Sequence, residues 1–263
     1  MTIFKSIRYR GVKIYANASK LALSLVLLLF PKWRKQIPGH LPAKRPSATP
    51  HRIPRILWQT NYTDRVTAQV YSCFLFNRFI APAYEYYFCT DEQCDRFVEE
   101  NYPGEIWNAF KRLRIGAARA DFWRILVLLK YGGVYMDIDA NFTADPDSFI
   151  DGRTEHVFLA MKNGEVTNYF LAGSPGLPIL QEACDRIVAN INEGALDSVY
   201  SMTGPIILDE IVKKRGAEYI FFKEAAVQGQ FTNKKGQYAD KPKGAWTLAQ
   251  SLGPILSQDP PRE

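Results

Sequence analysis

Two carboxylates, Asp137 and Asp139, are the side chains whose type and spacing most clearly suggest chemistry. They follow a short apolar run, Gly133-Val-Tyr-Met136, which predicts a β-strand. Because a strand repeats every two residues, both carboxylates should project to the same side of its end. Two hard oxygen ligands held in this way suit Mg²⁺ or Mn²⁺ that carries a phosphate-containing substrate. We therefore expect a divalent metal at Asp137 and Asp139 and nucleotide-dependent transfer chemistry.

The segment before this strand predicts a helix over 117–130 that should place further polar groups beside the two carboxylates. Its Asp121 and Arg124 lie three residues apart and share one helix face, where a simple surface ion pair is the alternative. Tyr131-Gly132-Gly133 should end the helix, because glycine is typical of a helix C-terminus. Asp-x-Asp alone is common by chance, so the helix and the strand carry the prediction.

Strands and helices are expected to alternate along the rest of the chain. Strands are predicted at 53–60, 84–89, 134–138, 156–161 and 219–222, and helices at 66–80, 90–101, 104–112, 117–130, 177–192 and 205–214. Thr90 and Gln93 also match a capping box at the start of one helix. The alternation predicts an α/β, Rossmann-type layered domain with a mostly parallel central sheet. Ligands bind such sheets at the carboxyl ends of the strands, where Asp137 and Asp139 fall.

The N-terminal part of the chain differs in charge from the rest. Twelve of the 33 Lys and Arg residues precede Asp64, the first acidic residue, so the net charge of +6 arises at this end. The apolar run 21–30 lies among these cations and is shorter than the roughly 20 residues that a spanning helix needs. We expect a helix in the membrane interface, with Tyr15 and Trp33 as anchors and cations against anionic headgroups. Packing on the domain and a marginal spanning anchor are the alternatives.

We expect four segments: a basic apolar membrane-associating segment (1–35), a Pro-rich linker (36–52), the catalytic domain (53–250) and a C-terminal tail (251–263). Four cysteines without a CxxC pair and three scattered histidines argue against a zinc site.

No nucleic acid partner is expected, because the basic segment couples its charges to an aliphatic run rather than to base-stacking aromatic residues.

The stretch from 53 to 248 resembles the family 32 glycosyltransferases, which are named for a sugar-binding region containing the Asp-x-Asp motif. The most specific match joins Ala118-Arg119-Ala-Asp121-x-x-Arg124 to Gly132-Gly133-Val-Tyr-x-Asp137-x-Asp139. Supporting matches, in the family's order, are Ile53–Thr60, Asn168 before Leu-Ala-Gly-Ser-Pro-Gly, and Thr203-Gly204-Pro205. The family includes the yeast initiating mannosyltransferase, the α-1,4-galactosyltransferases and many bacterial capsule and lipopolysaccharide enzymes.

The resemblance implies a GT-A-like fold, Mn²⁺ or Mg²⁺, and transfer with retention of anomeric configuration. It implies that a hexose or N-acetylhexosamine moves from a nucleotide sugar, a UDP-sugar rather than GDP-mannose, to a glycan or lipid-linked glycan acceptor. Surface polysaccharide or lipopolysaccharide synthesis is the expected setting.

The resemblance also implies roles for individual residues. Asp139 would bind the metal directly, and Asp137 would contact the donor and reach the metal. Asp121 and Arg124 would contact sugar or ribose hydroxyls, which makes Asp121, Arg124 and Asp137 the expected catalytic residues. Further donor contacts are implied for Trp58, which would stack on the base, and for Gln59, Thr60, Arg119, Asn168 and Trp246.

The C-terminal region departs from the family pattern. Family members place a His and then Ser-Trp in a loop that closes over the donor, whereas here Ala245 precedes Trp246 and Lys241 stands near the histidine's place. The serine that could ligate the metal is thus missing, while Lys241 or Lys243 could offset diphosphate charge.

Two other hypotheses remain open. One is a haloacid-dehalogenase-like phosphatase that uses Asp137 as nucleophile, and the other is a non-catalytic membrane or glycan-binding protein with a decayed site. We expect a bacterial protein of this kind on the cytoplasmic face of the inner membrane, and a eukaryotic one in the Golgi membrane.

Overall fold

The computed structural model describes residues 3–257. Within that range the helices are α1 (Ile3–Leu29), α2 (Ala68–Ile80), α3 (Asp91–Asn101), α4 (Glu105–Arg112), α5 (Gly116–Tyr131), α6 (Pro178–Glu193), α7 (Val199–Met202), α8 (Pro205–Lys214), α9 (Lys234–Gln237) and α10 (Trp246–Leu252). The strands are β1 (Lys35–Gln36), β2 (His40–Leu41), β3 (Ile56–Asn61), β4 (Arg65–Val66), β5 (Glu85–Thr90), β6 (Gly133–Met136), β7 (Ala140–Phe142), β8 (His156–Ala160), β9 (Val166–Gly173), β10 (Ile220–Phe221) and β11 (Ala226–Gln228).

A seven-stranded mixed sheet lies at the centre of the described part of the chain, in the order β10-β8-β9-β6-β3-β5-β2. Strand β3 pairs in parallel with both β5 and β6, and β10 pairs in parallel with β8. Strand β9 runs antiparallel between β6 and β8, and β2 runs antiparallel at one edge. All strands of this sheet except β9 and β2 therefore point the same way, which confirms the predicted α/β architecture with a mostly parallel sheet.

Apolar layers cover both faces of the sheet. One face packs against α5, α6 and α8 through side chains that include Trp123, Leu180 and Leu208. The other face packs against α2 through Phe74 and its neighbours. Helix α5 is buried continuously from Asp121 to Leu128, because it lies between the sheet and the outer helices. Its polar residues must therefore find partners inside the protein.

Glycines fix the place where β6 begins. Gly132 ends α5 with φ +64°, and Gly133 follows with φ +104°, both in the region that favours glycine. A Cβ at position 133 would lie 2.8 Å from the carbonyl oxygen of Ile56, so only glycine lets β6 approach β3. The predicted end of the helix at these glycines is confirmed, as is the capping box of Thr90 and Gln93 at the start of α3.

Two features of the sheet differ from the sequence-based expectation. Strand β6 ends at Met136, and Asp137 to Ala140 form a turn that is closed by a hydrogen bond from Ala140 N–H to the Asp137 carbonyl (2.9 Å). The alternation of side chains along a strand therefore does not explain how the carboxylates are placed. Strand β9, which lies in the middle of the sheet, has no counterpart among the predicted elements.

The segments on either side of the predicted catalytic domain enter the fold. Within the stretch 36–52, expected as a linker, residues 40–41 form the edge strand β2, a position that tolerates neighbouring prolines. Within the expected tail, Ile255 is buried and its carbonyl accepts a hydrogen bond from Arg114 N–H (2.8 Å). The proline content identified an irregular segment but gave no information about edge pairing.

Helix α1 is longer than the apolar run suggested, and one of its faces packs on α2. It has 27 residues. Among the described residues, it is the one helix whose length and apolar composition would allow it to cross a membrane. Signal sequences and the core helices of soluble proteins can have the same length and composition. Its Ala16 is fully buried, and the Tyr15 ring stacks on Phe76 with 5.8 Å between centroids. The N-terminal segment is therefore seated on the domain.

Candidate active site

A cavity of about 990 Å³, whose lining includes carboxylate, amide and hydroxyl groups, lies at the carboxyl ends of the central strands. Thr60 near the end of β3, Asp91 just after β5 and Asp137 just after β6 all line it. Gly116 and Asp121 line it from the first turns of α5. The cavity therefore occupies the edge of the sheet where a ligand site is expected, and its volume is within the range of small-molecule sites.

Asp137 and Asp139 converge on one amide group in this cavity. The Gln228 Nε2 donates to Asp137 Oδ2 at 3.1 Å and to Asp139 Oδ1 at 3.0 Å. Gln228 ends β11, which pairs antiparallel with β7 directly after the carboxylate turn. The Gly229 N–H also donates to the Asp139 carbonyl at 2.9 Å, which fixes the turn from the other side.

Arg124 joins the carboxylates of α5 and of the turn. Its guanidinium lies 3.0 Å from Asp121 Oδ1 and 3.1 Å from Asp137 Oδ1, and the residue is only 3% exposed. The Tyr135 ring packs 4.5 Å from the guanidinium, and its hydroxyl donates to Asp137 Oδ1 at 2.8 Å. Asn168 Nδ2 donates to Asp121 Oδ1 at 2.9 Å. Such partners are required because an unpaired buried charge is costly.

Burial raises the pKa of the three carboxyl groups in this network. Burial raises the pKa of Asp121 to about 7, and the Arg124 guanidinium opposes that rise. Burial and the neighbouring Asp137 charge raise the pKa of Asp139 to about 7. Burial also raises the pKa of Asp137, and the Arg124 guanidinium opposes that rise. Three carboxylates thus share one guanidinium, an excess of negative charge that a divalent cation would stabilise.

Most of the residues expected at the site are brought to the cavity. The expected residues that line it are Thr60, Asp121, Arg124, Asp137, Asp139, Asn168 and Trp246. Asn168 reaches it because β9 runs antiparallel and begins at the edge where β6 ends. The sequence match at Asn168 therefore pointed to a residue that lies beside Asp121.

Trp58 lies in the core rather than among the residues that line the cavity. Its indole N–H donates to the Gly132 carbonyl at 2.9 Å, and its ring packs against Tyr87 and Tyr131. Side chains along β3 alternate between the two faces of a covered sheet, so only its last residues reach the edge. This position gives no support to the expected stacking of Trp58 on a donor base.

Gln59 and Arg119 are also placed away from the cavity lining. Gln59 is fully buried, and its Nε2 donates to the Asp137 carbonyl at 3.1 Å, so it supports the carboxylate turn from beneath. Arg119 pairs with Asp95 and donates to the Leu113 carbonyl at 3.0 Å. Their positions match a structural role rather than the expected contact with the donor.

Gln228 was not predicted, because it lies about ninety positions after the motif and in no recognisable pattern. Only the pairing of β11 with β7 brings it to the carboxylates. Tyr135 was part of the quoted motif, but its contact with Arg124 and Asp137 depends on the turn that follows β6. Strands this short leave no recognisable pattern in the sequence, so these contacts could not be predicted from it.

Segments near the two ends of the chain complete the cavity. Tyr9 lines it from α1, and Tyr238, Lys241 and Trp246 line it from the C-terminal region. The Lys241 Nζ lies 3.9 Å from an oxygen of Asp91. Trp246 is the first residue of α10 and is 38% exposed. This side of the cavity is more open than the network around Arg124.

The oxygens of Asp137 and Asp139 fit a divalent cation. One amide nitrogen lies within 3.1 Å of both carboxylates, so a single positively polarised group can sit between them. The metal ligands at this position would be carboxylate oxygens, which Mg²⁺ and Mn²⁺ prefer. Residues 3–257 contain no cluster of three or more His, Cys, Asp and Glu side chains arranged for a metal. The remaining ligands would therefore be substrate phosphates, water or an amide oxygen.

Comparisons with known proteins identify the region that contains these residues. A family model described as a glycosyltransferase sugar-binding region containing the DXD motif matches residues 63–155. The inositol phosphoceramide mannosyltransferase 3 of Schizosaccharomyces pombe is 29% identical, over 60% of this chain and 44% of the relative. The initiation-specific alpha-1,6-mannosyltransferase of the same yeast is 28% identical, over 51% of this chain and 39% of the relative.

A third relative is the mannosyl phosphorylinositol ceramide synthase CSH1 of Saccharomyces cerevisiae, 33% identical over 34% of this chain and 24% of the relative. The chain thus spans less than half the length of each of these curated relatives. The solved structure of the PaToxG glycosyltransferase has a TM-score of 0.48 and 16% identity, over 81% of this chain and 80% of that one. The resemblance expected from the sequence is confirmed for the matched region, residues 63–155, which contains Asp137 and Asp139.

Proposed function

Because this chain carries the sugar-binding region of the DXD glycosyltransferases, we propose that it is a retaining, metal-dependent glycosyltransferase with a GT-A-like domain. It would move a hexose or N-acetylhexosamine from a nucleotide sugar to a glycan or glycolipid. One observation carries the proposal: Asp137 and Asp139 converge on a single point of the cavity beside the Arg124–Asp121 pair.

In this proposal Asp137 and Asp139 hold Mn²⁺ or Mg²⁺, which when bound would neutralise charge on the departing nucleotide diphosphate. Gln228 is the third group that faces this position, because its amide already lies between the two carboxylates. Rotation of the amide by half a turn presents its oxygen where its nitrogen now lies. Gln228 can therefore change from a hydrogen-bond donor to a ligand without moving its backbone.

Asp121 and Arg124 are proposed to position the hydroxyls of the donor. A carboxylate oxygen can accept about two hydrogen bonds, so Asp121 Oδ2, bonded to Thr203 Oγ1 at 3.3 Å, has capacity for a sugar hydroxyl. Arg124 pairs with both Asp121 and Asp137 and so keeps their relative positions fixed before the donor binds. Fixed polar groups of this kind lower a barrier without reorganising during the reaction.

The diphosphate of the donor is proposed to lie between the carboxylate pair and the start of α5. Gly116 and Ala117 line the cavity there, and a helix N-terminus favours negative charge. Lys241 lines the same cavity and can add a positive charge. Trp246 is placed to cover the donor, and closure over it would exclude water and limit wasteful hydrolysis.

The acceptor and the location belong to the same proposal. Three relatives are named as mannosyltransferases or mannosyl transfer enzymes, and two of these names include an inositol phosphoceramide or its equivalent. We therefore take mannose as the first hexose to test and a lipid with a hydroxyl-bearing head as the first acceptor. The sequence-based preference for a UDP-sugar over GDP-mannose stays a prediction, so donors of both kinds enter the screen. The proposed setting is a membrane surface, either the bacterial inner membrane or the Golgi membrane.

A donor screen tests this proposal. The full chain with Mn²⁺ is incubated with UDP-glucose, UDP-galactose, UDP-N-acetylglucosamine and GDP-mannose, and released nucleotide diphosphate is measured by mass spectrometry. We expect hydrolysis of one donor that stops when EDTA removes the metal. Folded protein that neither hydrolyses nor binds any donor, by calorimetry with the corresponding nucleotide diphosphates, would contradict the proposal.

The two alternative hypotheses are less well supported. A phosphatase needs Asp137 as a free nucleophile, but its Oδ1 accepts from Tyr135 and contacts Arg124, and its Oδ2 accepts from Gln228. A decayed site would be expected to lose its charged groups, whereas here both carboxylates and Arg124 remain in contact within one network. The glycosyltransferase proposal uses all of them.

A further inference from the structure

Helix α1 contacts the domain along most of its length through one face, which we call the inner face. Near its start Lys5 pairs with Glu224, and near its end the Ser24 hydroxyl accepts a hydrogen bond from Gln69 Nε2 at 2.8 Å. Between them, the Lys20 Nζ donates to the Gly229 carbonyl at 3.1 Å. At 1.5 Å per residue, the stretch from Lys5 to Ser24 is about 30 Å long.

The opposite face, which we call the outer face, is apolar and exposed. Phe4, Ile14, Leu21 and Leu28 are 82%, 72%, 71% and 75% exposed. Their spacing in multiples of about 3.5 residues places them on one side of the helix. The outer face also contains exposed Ile7 and Leu25, and the adjacent helix α2 adds exposed Leu75 and Phe79. A continuous apolar surface of this kind marks an interaction site.

The charges on α1 identify the partner of the outer face. The helix carries Lys and Arg at positions 5, 8, 10, 13 and 20, and no acidic residue precedes Asp64. Lys5 and Lys20 contact the domain from the inner face, and Arg8, Arg10 and Lys13 are exposed. The three exposed cations beside the apolar outer face complement an anionic lipid surface, where the apolar side chains enter the acyl region.

The packing of the inner face determines how α1 can lie in a membrane. A spanning helix would place about 30 Å of its length in hydrocarbon, which equals the stretch that contacts the domain. That orientation would draw polar surface of the domain, including Gln69 and Glu224, into lipid at high cost. An orientation parallel to the membrane surface keeps the domain in water and buries only the outer face.

Tyr9 on the inner face connects this membrane helix to the active site. Tyr9 lines the catalytic cavity, the Gln230 Nε2 lies 3.5 Å from its hydroxyl, and Lys223 Nζ lies 5.1 Å from its ring centroid. The segment 228–230 joins the two places: Gln228 contacts both carboxylates and Gln230 contacts Tyr9. The wall of the cavity that reaches the membrane helix is therefore continuous with the metal-facing residues.

We infer that α1 lies in the plane of an anionic bilayer and forms the acceptor wall of the active site. The acceptor is then an amphiphile whose chains stay in the bilayer beside α1 while its hydroxyl-bearing head enters the cavity at Tyr9. This inference rests on the proposed glycosyltransferase function for the reaction, but the orientation of α1 does not depend on it. Acceptor and enzyme share two dimensions, which raises their effective concentration.

The first test measures co-flotation of the full chain with vesicles of phosphatidylcholine, with and without phosphatidylinositol. We expect binding to the anionic vesicles, and a fall of about tenfold or more when Ile14→Glu and Leu21→Glu are combined on the outer face. Leu196→Glu changes an exposed apolar residue elsewhere and should bind like the unchanged chain. An outer-face variant that remains folded by circular dichroism and binds as before overturns the orientation.

The second test uses photocrosslinking and needs no knowledge of the acceptor. A photoreactive p-benzoylphenylalanine replaces Tyr9, Ile14 or Leu196, and adducts with phosphatidylinositol are identified by mass spectrometry. We expect adducts from positions 9 and 14 and none from position 196. Adducts at 14 without adducts at 9 overturn the acceptor wall. Absence of donor hydrolysis by the unchanged chain would contradict the proposed function, while both vesicle tests would still decide the orientation.

Discussion

The two walls of the candidate active-site cavity are built in opposite ways. The wall formed by β6, β9 and the start of α5, which we call the inner wall, holds buried Arg124 in contact with Asp121 and Asp137. The wall formed by α1 and residues 228–247, which we call the outer wall, presents exposed or half-buried residues such as Trp246 with fewer polar partners. In the proposed mechanism, the groups that would handle charge are therefore fixed in advance, while the groups that would meet the acceptor and the membrane can adjust.

The largest effect is expected from Asp139→Asn on the inner wall. Loss of a charged oxygen ligand removes several kcal/mol of stabilisation of the leaving diphosphate, so donor hydrolysis should fall by about 1,000-fold. Binding of Mn²⁺, measured by electron paramagnetic resonance, should be lost together with activity. Asp197→Asn, an exposed carboxylate outside the cavity lining, is the matched control. Activity retained in Asp139→Asn would remove the metal from the mechanism.

A second large effect is expected from Arg124→Met, which removes the charge that joins Asp121 and Asp137. Because this leaves the buried carboxylate of Asp121 and the half-buried carboxylate of Asp137 without their cation, the free energy of unfolding should fall by about 3 kcal/mol in urea denaturation. Arg186→Met breaks an exposed ion pair with Glu210 (3.5 Å) and should cost less than about 1 kcal/mol. Equal losses in both variants would show that the inner wall is no more tightly built than the surface.

The inner wall was the part of the site most accessible from sequence. Gly132 and Gly133 require left-handed backbone conformations, and the apolar length of α5 requires burial, so local rules were sufficient to place Asp121, Arg124 and the carboxylates at one sheet edge. Trp58 shows where this reasoning stopped, because membership of a motif does not tell a core aromatic from a donor contact.

The outer wall could not be predicted because it depends on pairing between segments that are distant in the chain. Gln228 meets the carboxylates only through the short β11–β7 pair, and Tyr9 reaches the cavity only because α1 docks on α2. Neither strand has enough residues for a period of two to be recognised. The apolar and cationic pattern of α1 predicted a membrane contact, which stays a prediction, and it indicated no orientation relative to the active site.

The junction between the two walls can be probed at Gln228. Gln228→Glu adds a third carboxylate to the metal-facing set, so affinity for Mn²⁺ should rise about tenfold, whereas Gln228→Leu should lower it. Gln181→Glu makes the same charge change at an exposed position on α6 and should leave the affinity as it is. Calorimetric titration with Mn²⁺ measures all three variants. If Gln228→Leu binds as tightly as the unchanged chain, Gln228 faces the carboxylates without serving the metal.

The smallest effect, a change in thermal stability, tests whether the inner wall is strained without metal. Burial raises the pKa of Asp121 and of Asp139 to about 7, above the ordinary value of an aspartate. A carboxyl group whose pKa is raised by folding stabilises the protein fully below its unfolded pKa, and this contribution is lost as pH rises through the folded pKa. The metal-free chain should therefore lose stability between about pH 4 and pH 7.

Asp139→Asn should remove the part of this loss of stability that Asp139 causes, because the amide is never charged and cannot repel Asp137. In scanning calorimetry at pH 8 without metal, the variant should melt several degrees above the unchanged chain, at about 2–4 °C per kcal/mol for a domain of this size. At pH 4 the two curves should coincide, since both side chains are then neutral. A variant that is less stable at pH 8 would mean that Gln228 and Arg124 already compensate the charge of Asp139. The carboxylates of the inner wall would then not need a cation to be stable.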